Sequence, residues 1–269
     1  MVNRIGGPSP TRRRDRPCED KTPPLALKVQ RRERIGRKLK VPTLRQIEPT
    51  FEDVAPGYEQ ILPSVVLRYR EIHDVMLYFL TSLGRDFIDI VELGVGTGEL
   101  TMEVLRRFPE AGVEAIDVSP KMLEVASQKL LPYKDRVNLI HSDFGTYEFM
   151  REYDLAISSM AMHHLPDKDK LKLMKSIHRS LKEEGVFLFG DLIQSPSSYL
   201  DKKFFRIWKN YLRFNGLSRD EIDLKVKGHL NNDLPATLPE LLHWMKEAGF
   251  RDVDCLWKYF NHAVVVGIK

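Results

Sequence analysis

From residue 88 onward the chain repeats one pattern. A short apolar run is followed by a turn, then by apolar residues three and four positions apart. Ile88 to Leu93 predicts a strand ending at Gly94, and Leu100, Val104, Leu105 and Phe108 predict the buried face of the helix after it. Val113 to Ile116 predicts a second strand ending at Asp117. Ser119 is placed to cap the next helix, with Pro120 as its first residue. Val137 to His141 and Leu155 to Ser158 predict a third and a fourth strand. A helix is expected over Asp167 to Lys182, with Leu171, Met174, Ile177 and Leu181 inward and Gly185 closing it. Val186 to Gly190 predicts a fifth strand.

The flanks read differently. Residues 51–83 predict a helical lead-in. Phe51, Ala55, Tyr58, Ile61 and Leu62 are spaced for one face, and Val75, Leu77, Tyr78 and Leu80 for another. Residues 195–235 carry aromatics and charge without a strand signal and predict a helical insertion. Thr237-Leu238-Pro239-Glu240 has the capping-box pattern and opens a helix that stops near Gly249. Val253 to Tyr259 and Ala263 to Ile268 are too close for a parallel crossover, so they predict an antiparallel pair. Strands alternating with helices imply a parallel sheet covered on both faces, with ligands beyond the carboxyl ends of its strands.

Charge changes this picture at one end only. Residues 1–40 hold 13 Lys and Arg against four Asp and Glu, and the rest of the chain is net acidic. The reading is a basic, disordered arm over 1–40, with a short helix between Leu25 and Lys40, joined to a domain over 41–269. Such an arm suits RNA through phosphate contacts, and it equally suits a solvated tail. No apolar run reaches a membrane span, and the N-terminus lacks the apolar core of a secretory signal. Cys18 and Cys255 are the only cysteines, which excludes a disulfide framework and fits a cytoplasmic setting.

Candidate chemistry gathers at strand ends. Glu92-Leu93-Gly94-Val95-Gly96-Thr97-Gly98 is a glycine turn between a strand and a helix. Glu99 stands where a dinucleotide fingerprint has its third glycine. With Glu92 it disfavours a pyrophosphate and suits a positive or zwitterionic ligand. Asp117 can accept the hydroxyls of a ribose. Asp143, followed by Phe144, can accept an exocyclic amine beside a ring that covers the base.

These motifs resemble those of class I S-adenosylmethionine-dependent methyltransferases. The glycine loop looks like their first motif, Ala115-Ile116-Asp117-Val118-Ser119 their ribose-binding strand end, and Ser142-Asp143-Phe144 their adenine motif. Residues 153–159 and 185–187 look like their fourth and fifth strands. The resemblance implies a Rossmann-like α/β fold. Its seven-stranded, mostly parallel sheet would have strand seven antiparallel between five and six, helices on both faces and the 195–235 insertion before the last two strands. It implies S-adenosylmethionine as cofactor, held by Glu92, Gly94, Gly96, Gly98, Asp117, Val118, Asp143 and Phe144.

A narrower likeness links Asn215-Gly216-Leu217-Ser218, Glu221-Ile222, Ala248-Gly249-Phe250, Trp257 and Phe260-Asn261 to carboxy-S-adenosylmethionine synthases of wobble-uridine modification. It implies that Tyr69 and Ser159 lie at the methionine end of the cofactor. Those enzymes hold the extra carboxylate with an arginine. The matching position is Val226, between Lys225 and Lys227, and a valine makes no bidentate contact. Ordinary S-adenosylmethionine is therefore the expected donor. The main reading is methyl transfer to an unidentified small molecule. The alternatives are a tRNA-modification enzyme and a non-catalytic cofactor-binding protein.

His163, His164 and Asp191 are base candidates for the acceptor, with helix capping, loop packing and turn formation as their structural alternatives. No metal is expected, because adjacent histidines diverge and no third ligand is evident. Phe204, Phe205, Trp208, Tyr211 and Phe214 are either a lid over the acceptor or core. The basic residues between them suit either RNA or a solvated face. The oligomeric state is not fixed by sequence, with a homodimer as one arrangement.

Overall fold

The computed structural model describes residues 43–47, 55 and 57–269. The arm over 1–40, its helix and Phe51 lie outside them. Seven strands form one sheet: β1 (Asp89–Leu93), β2 (Gly112–Asp117), β3 (Val137–His141), β4 (Tyr153–Ser159), β5 (Leu181–Leu192), β6 (Asp252–Tyr259) and β7 (His262–Ile268). Their spatial order is β3-β2-β1-β4-β5-β7-β6. β7 runs antiparallel to both neighbours, and the other strands share one direction. Strand seven thus lies between five and six, as expected.

The strands bury both faces, and side chains alternate with the pleat. Val91, Ala156, Phe187, Phe189 and Val265 join one core. Ile90, Leu155, Ile157, Val186, Leu188 and Val264 join the other. The first core is closed by α5 (Asp167–Ser180) and α8 (Leu238–Ala248), through Leu173, Met174, Ile177, Leu241 and Met245. The second is closed by α2 (Tyr69–Ser82) and α3 (Glu99–Arg107), through Ile72, Met76, Leu77, Leu80, Leu100, Val104 and Leu105.

Caps set the element boundaries. Ser119 accepts from the Met122 amide at 3.2 Å and starts α4 (Pro120–Lys129). Thr237 and Glu240 form the reciprocal capping box of α8, and Gly249 ends that helix at φ 112°. The 167–182 helix stops earlier than its spacing predicts. α5 ends at Ser180, because Leu181 already pairs with Tyr153 at the start of β5. Leu173, rather than Leu171, fills the core beneath it. In the lead-in, Tyr78 is 78% exposed and Ile61 is exposed, since the sheet receives the Ile72, Met76 and Leu80 face instead.

The insertion is helical, as predicted: α6 (Ser198–Phe214) and α7 (Arg219–Asn232). It fastens onto α1 (Tyr58–Val65). Trp208 Nε1 donates to the Val65 carbonyl at 2.8 Å, Tyr211 Oη to Pro63 at 2.5 Å and Asn215 Nδ2 to Ser64 at 3.0 Å. The last carbonyls of a helix lack partners within it, and α6 supplies them here. No helix of the described residues is long and apolar enough to cross a membrane.

Candidate functional site

A cleft of about 700 Å³, including its open mouth, lies at the carboxyl ends of β1, β2 and β4. Its floor is the turn after β1. Gly94, Gly96 and Gly98 all have positive φ, at 73°, 54° and 82°. A Cβ on Gly94 would overlap the Cβ of Ala161, so the turn and the loop after β4 pack backbone to backbone. A Cβ on Gly96 would meet nothing within 4 Å, so that glycine leaves room on the cleft side. The cleft is further lined by Tyr58, Tyr69, His73, Glu92, Thr97, Glu99, Asp117, Val118, Phe144, Ser159, Met160 and His164.

Two buried acids give the floor its character. The Asp117 carboxylate accepts from the Gly96 amide at 2.8 Å and the Ser119 amide at 2.9 Å. Burial raises its pKa, and the backbone N–H groups offset only part of that. Glu92 accepts from the Thr101 hydroxyl, and burial pushes its pKa up to about 8, with the Asp117 charge adding to the shift. Neither acid has a salt bridge among the described residues, so the floor attracts positive charge.

The wall opposite comes from α2. Tyr69 donates to Glu99 Oε2 at 3.0 Å, and His73 Nε2 lies 2.9 Å from Ser159 Oγ. Burial lowers the His73 pKa to about 4, so that ring is neutral. His73, Tyr58 and Glu99 complete the wall without a motif of their own. Glu99 is marked in sequence only by standing in the third-glycine position, and His73 and Tyr58 only by helix faces that also carry core residues.

Of the remaining candidates, Asp143, His163 and Asp191 fall outside the lining. Asp143 turns its carboxylate back to the Gly145 amide at 2.9 Å, while Phe144, its neighbour, is buried against the cleft. His163 lies behind His164, with Nδ1 2.5 Å from Asp191 Oδ1. Burial lowers the His163 pKa, but the Asp191 and Asp233 charges more than offset it, so it stands above the ordinary value. His164 faces the cleft, and burial beside His163 lowers its pKa to about 4. Asp191 is 4% exposed, and the Leu192 amide also donates to it at 2.8 Å.

The two histidines do not diverge. Their rings approach to 4.0 Å between centroids, and Asp233 at the end of α7 joins them. The sequence argument against a third donor is thereby corrected: the Leu234 amide donates to the His163 carbonyl at 2.7 Å and brings a distant segment to the pair.

The insertion aromatics do not line the cleft. Phe204 packs on Phe260, Phe205 and Trp208 pack on His229, and Phe214 is 88% exposed. Tethering to α1 holds α6 to the side, and no lid over the cleft is formed by these rings. Val226 is half-buried on α7 and is not part of the lining.

Residues 90–185 match the family described as "Methyltransferase domain". Over 228 residues the chain is 27% identical to the carboxy-S-adenosyl-L-methionine synthase of Nautilia profundicola, covering 84% of this chain and 97% of that protein. It is 28% identical to the synthase of that name from Wolinella succinogenes, covering 81% and 92%. Among solved structures it resembles phosphoethanolamine N-methyltransferase 2 of Haemonchus contortus, in complex with phosphomonomethylethanolamine and S-adenosylhomocysteine (TM-score 0.61, 19% identity, 85% of this chain). It also resembles human N-acetylserotonin methyltransferase in complex with SAM (TM-score 0.54, 16% identity, 82% of this chain). The chain spans 61% and 56% of the length of those two structures. Residues 90–185, which run from β1 into β5 and contain the glycine turn, Asp117 and Phe144, are thus similar to a methyltransferase domain, within the fold that these structures share.

Proposed function

We propose that the chain is an S-adenosylmethionine-dependent methyltransferase and that the cleft holds the cofactor. The observation that carries this reading is the pair of buried acids, Glu92 and Asp117, at the ends of β1 and β2 beside a glycine turn that floors a cleft. A carboxylate has about four acceptor sites, so Asp117 can take ribose hydroxyls while keeping its two backbone donors. The Glu92 carboxyl, with Tyr69 and Ser159 across the cleft, suits the cationic methionine end. Phe144 and Val118 offer apolar surface to the adenine, Gly96 keeps a side chain out of the way, and Gly98 lets the turn pack on Leu130. Asp143 fits this set as the residue that shapes the turn under Phe144.

S-adenosylmethionine supplies a methyl group on a sulfonium, a leaving group already activated by its charge. The protein's part is alignment and exclusion of water. The acceptor side is walled by Tyr58, His73, Met160 and His164, which suits a small, largely uncharged molecule. His164 is the base candidate in contact with the cleft. His163 and Asp191 act behind it as positioning residues.

The relatives' name favours a second reading, synthesis of a carboxylated cofactor, which the likeness read from sequence links to tRNA modification. Val226 speaks against it, because no arginine stands there to hold the extra carboxylate. The basic arm over 1–40 is the element that would engage RNA. A cytoplasmic enzyme and a homodimer are the setting we adopt. Mass spectrometry of the ligand that co-purifies tests the choice: S-adenosylmethionine or its demethylated product is expected, and a carboxylated derivative overturns it. A protein that binds the cofactor but labels no acceptor in cell extract would be a binding module.

A further inference from the structure

Between the ends of β4 and β5 and the last turn of α7 lies a group of polar side chains that cofactor binding does not use. His163, His164 and Asp233 each offer one ligand atom, and the three atoms lie within 4.8 Å of one another. His163 Nε2 is 3.8 Å from Asp233 Oδ1, and His164 Nδ1 is 3.5 Å from the same oxygen and 3.3 Å from the Asn232 carbonyl, a contact that an ion would replace. Tetrahedral coordination at zinc bond lengths needs donors about 3.3 Å apart, within reach of a small side-chain adjustment.

The partners around these donors are the stronger argument. A metal-bound histidine commonly gives its other ring nitrogen to a carboxylate, which fixes its tautomer and aim. His163 does this: Nδ1 is on Asp191 at 2.5 Å, which leaves Nε2 directed at Asp233. His229 Nδ1 lies 2.7 Å from Asp233 Oδ2, which leaves Oδ1 toward the two rings. His262, 2% exposed and paired in the sheet with Leu192 at the end of β5, has an Nδ1 with no hydrogen-bond partner among the described residues.

We propose that His163, His164 and Asp233 bind one divalent first-row transition metal ion, oriented from behind by Asp191 and His229. Two imidazoles and one carboxylate suit Zn²⁺ or Fe²⁺ and leave coordination positions open. His164 also lines the cleft, so an open position borders the acceptor side and would take an oxygen ligand. The proposal does not depend on the cofactor reading.

Chelator-treated full-length protein is titrated with Zn²⁺ by calorimetry and, separately, with Co²⁺ in the visible. One Zn²⁺ per chain is expected. Binding should fall at least 100-fold in Asp233→Asn and His164→Gln, and roughly 10–100-fold in Asp191→Asn, the range for such outer partners. The Co²⁺ form should show ligand-field bands without a thiolate charge-transfer band. That spectrum needs no variant, so it decides even if a substituted protein fails to fold. No uptake by the wild type, uptake unchanged in Asp233→Asn, or a thiolate band would overturn the site. The first of these would mean that a proton on His163 alone bridges the two aspartates.

Discussion

The cleft over β1 and β2 and the histidine group beyond β4 and β5 sit at the same end of one sheet, and they solve opposite problems. The first makes room. It uses glycines at positive φ, leaves its two acids without a cation, and satisfies Asp117 only through backbone amides. The second fills room. It stacks His163 on His164 and closes a ring of charge partners through Asp191, Asp233 and His229. An unpaired buried acid raises the cost of the empty state and rewards a cationic ligand. A paired histidine group stabilises its own geometry. Cofactor affinity should therefore be concentrated in the first region, while the second adds to fold stability besides holding the proposed ion.

Substitutions break the comparison cleanly. Gly94→Val places a branched side chain at φ 73° against Ala161, and cofactor affinity should fall by about a thousandfold or more in a calorimetric titration. His163→Ala leaves Asp191 buried and unpaired. It should cost about 3–5 kcal/mol in denaturant unfolding, and an unchanged midpoint would show that the group is not a stabilising unit. Asp117→Ala should weaken S-adenosylmethionine binding roughly 10–100-fold, about 1.4–2.8 kcal/mol, with little change in melting temperature. Unchanged affinity would remove Asp117 from the site.

Glu92 sharpens the comparison through pH. Its folded pKa, about 8, lies above the value expected in the unfolded chain. Its contribution to apo stability is therefore complete at low pH and lost as pH rises through about 8. A cationic ligand prefers the ionised form, so affinity should climb from pH 6 to 8 and then level off. Glu92→Gln should flatten that climb. The smallest effect is expected from removing residues 1–40: melting of the rest should be unchanged, while salt-dependent RNA binding, where present, should drop. RNA binding that survives the deletion would take the arm out of that role.

What could be read from sequence divides along the same line. Strands buried on both faces announce themselves as apolar runs, and the Thr237–Glu240 cap is local, so both were legible. The glycine turn, Asp117 and Phe144 are set by short-range geometry after single strands, and they meet in the cleft as expected. The histidine group was not legible as a group. Asp233 reaches His163 only because the insertion folds back and Leu234 bonds to the His163 carbonyl, a contact with no periodic signature. The α2 face went wrong for a related reason. Tyr78 fits the spacing of an apolar stripe, but burial on one side of the sheet turns it outward.

Trp208 and Tyr211 of α6 and Asn215 just beyond it, which take the carbonyls of α1, have a mechanical meaning. α1 lends Tyr58 and Leu62 to the cleft wall, so the entrance and the insertion are bolted together. Any movement that widens the mouth must drag the insertion with it or shear three hydrogen bonds. The entrance wall and the insertion thus form one two-helix block, joined by Trp208, Tyr211 and Asn215.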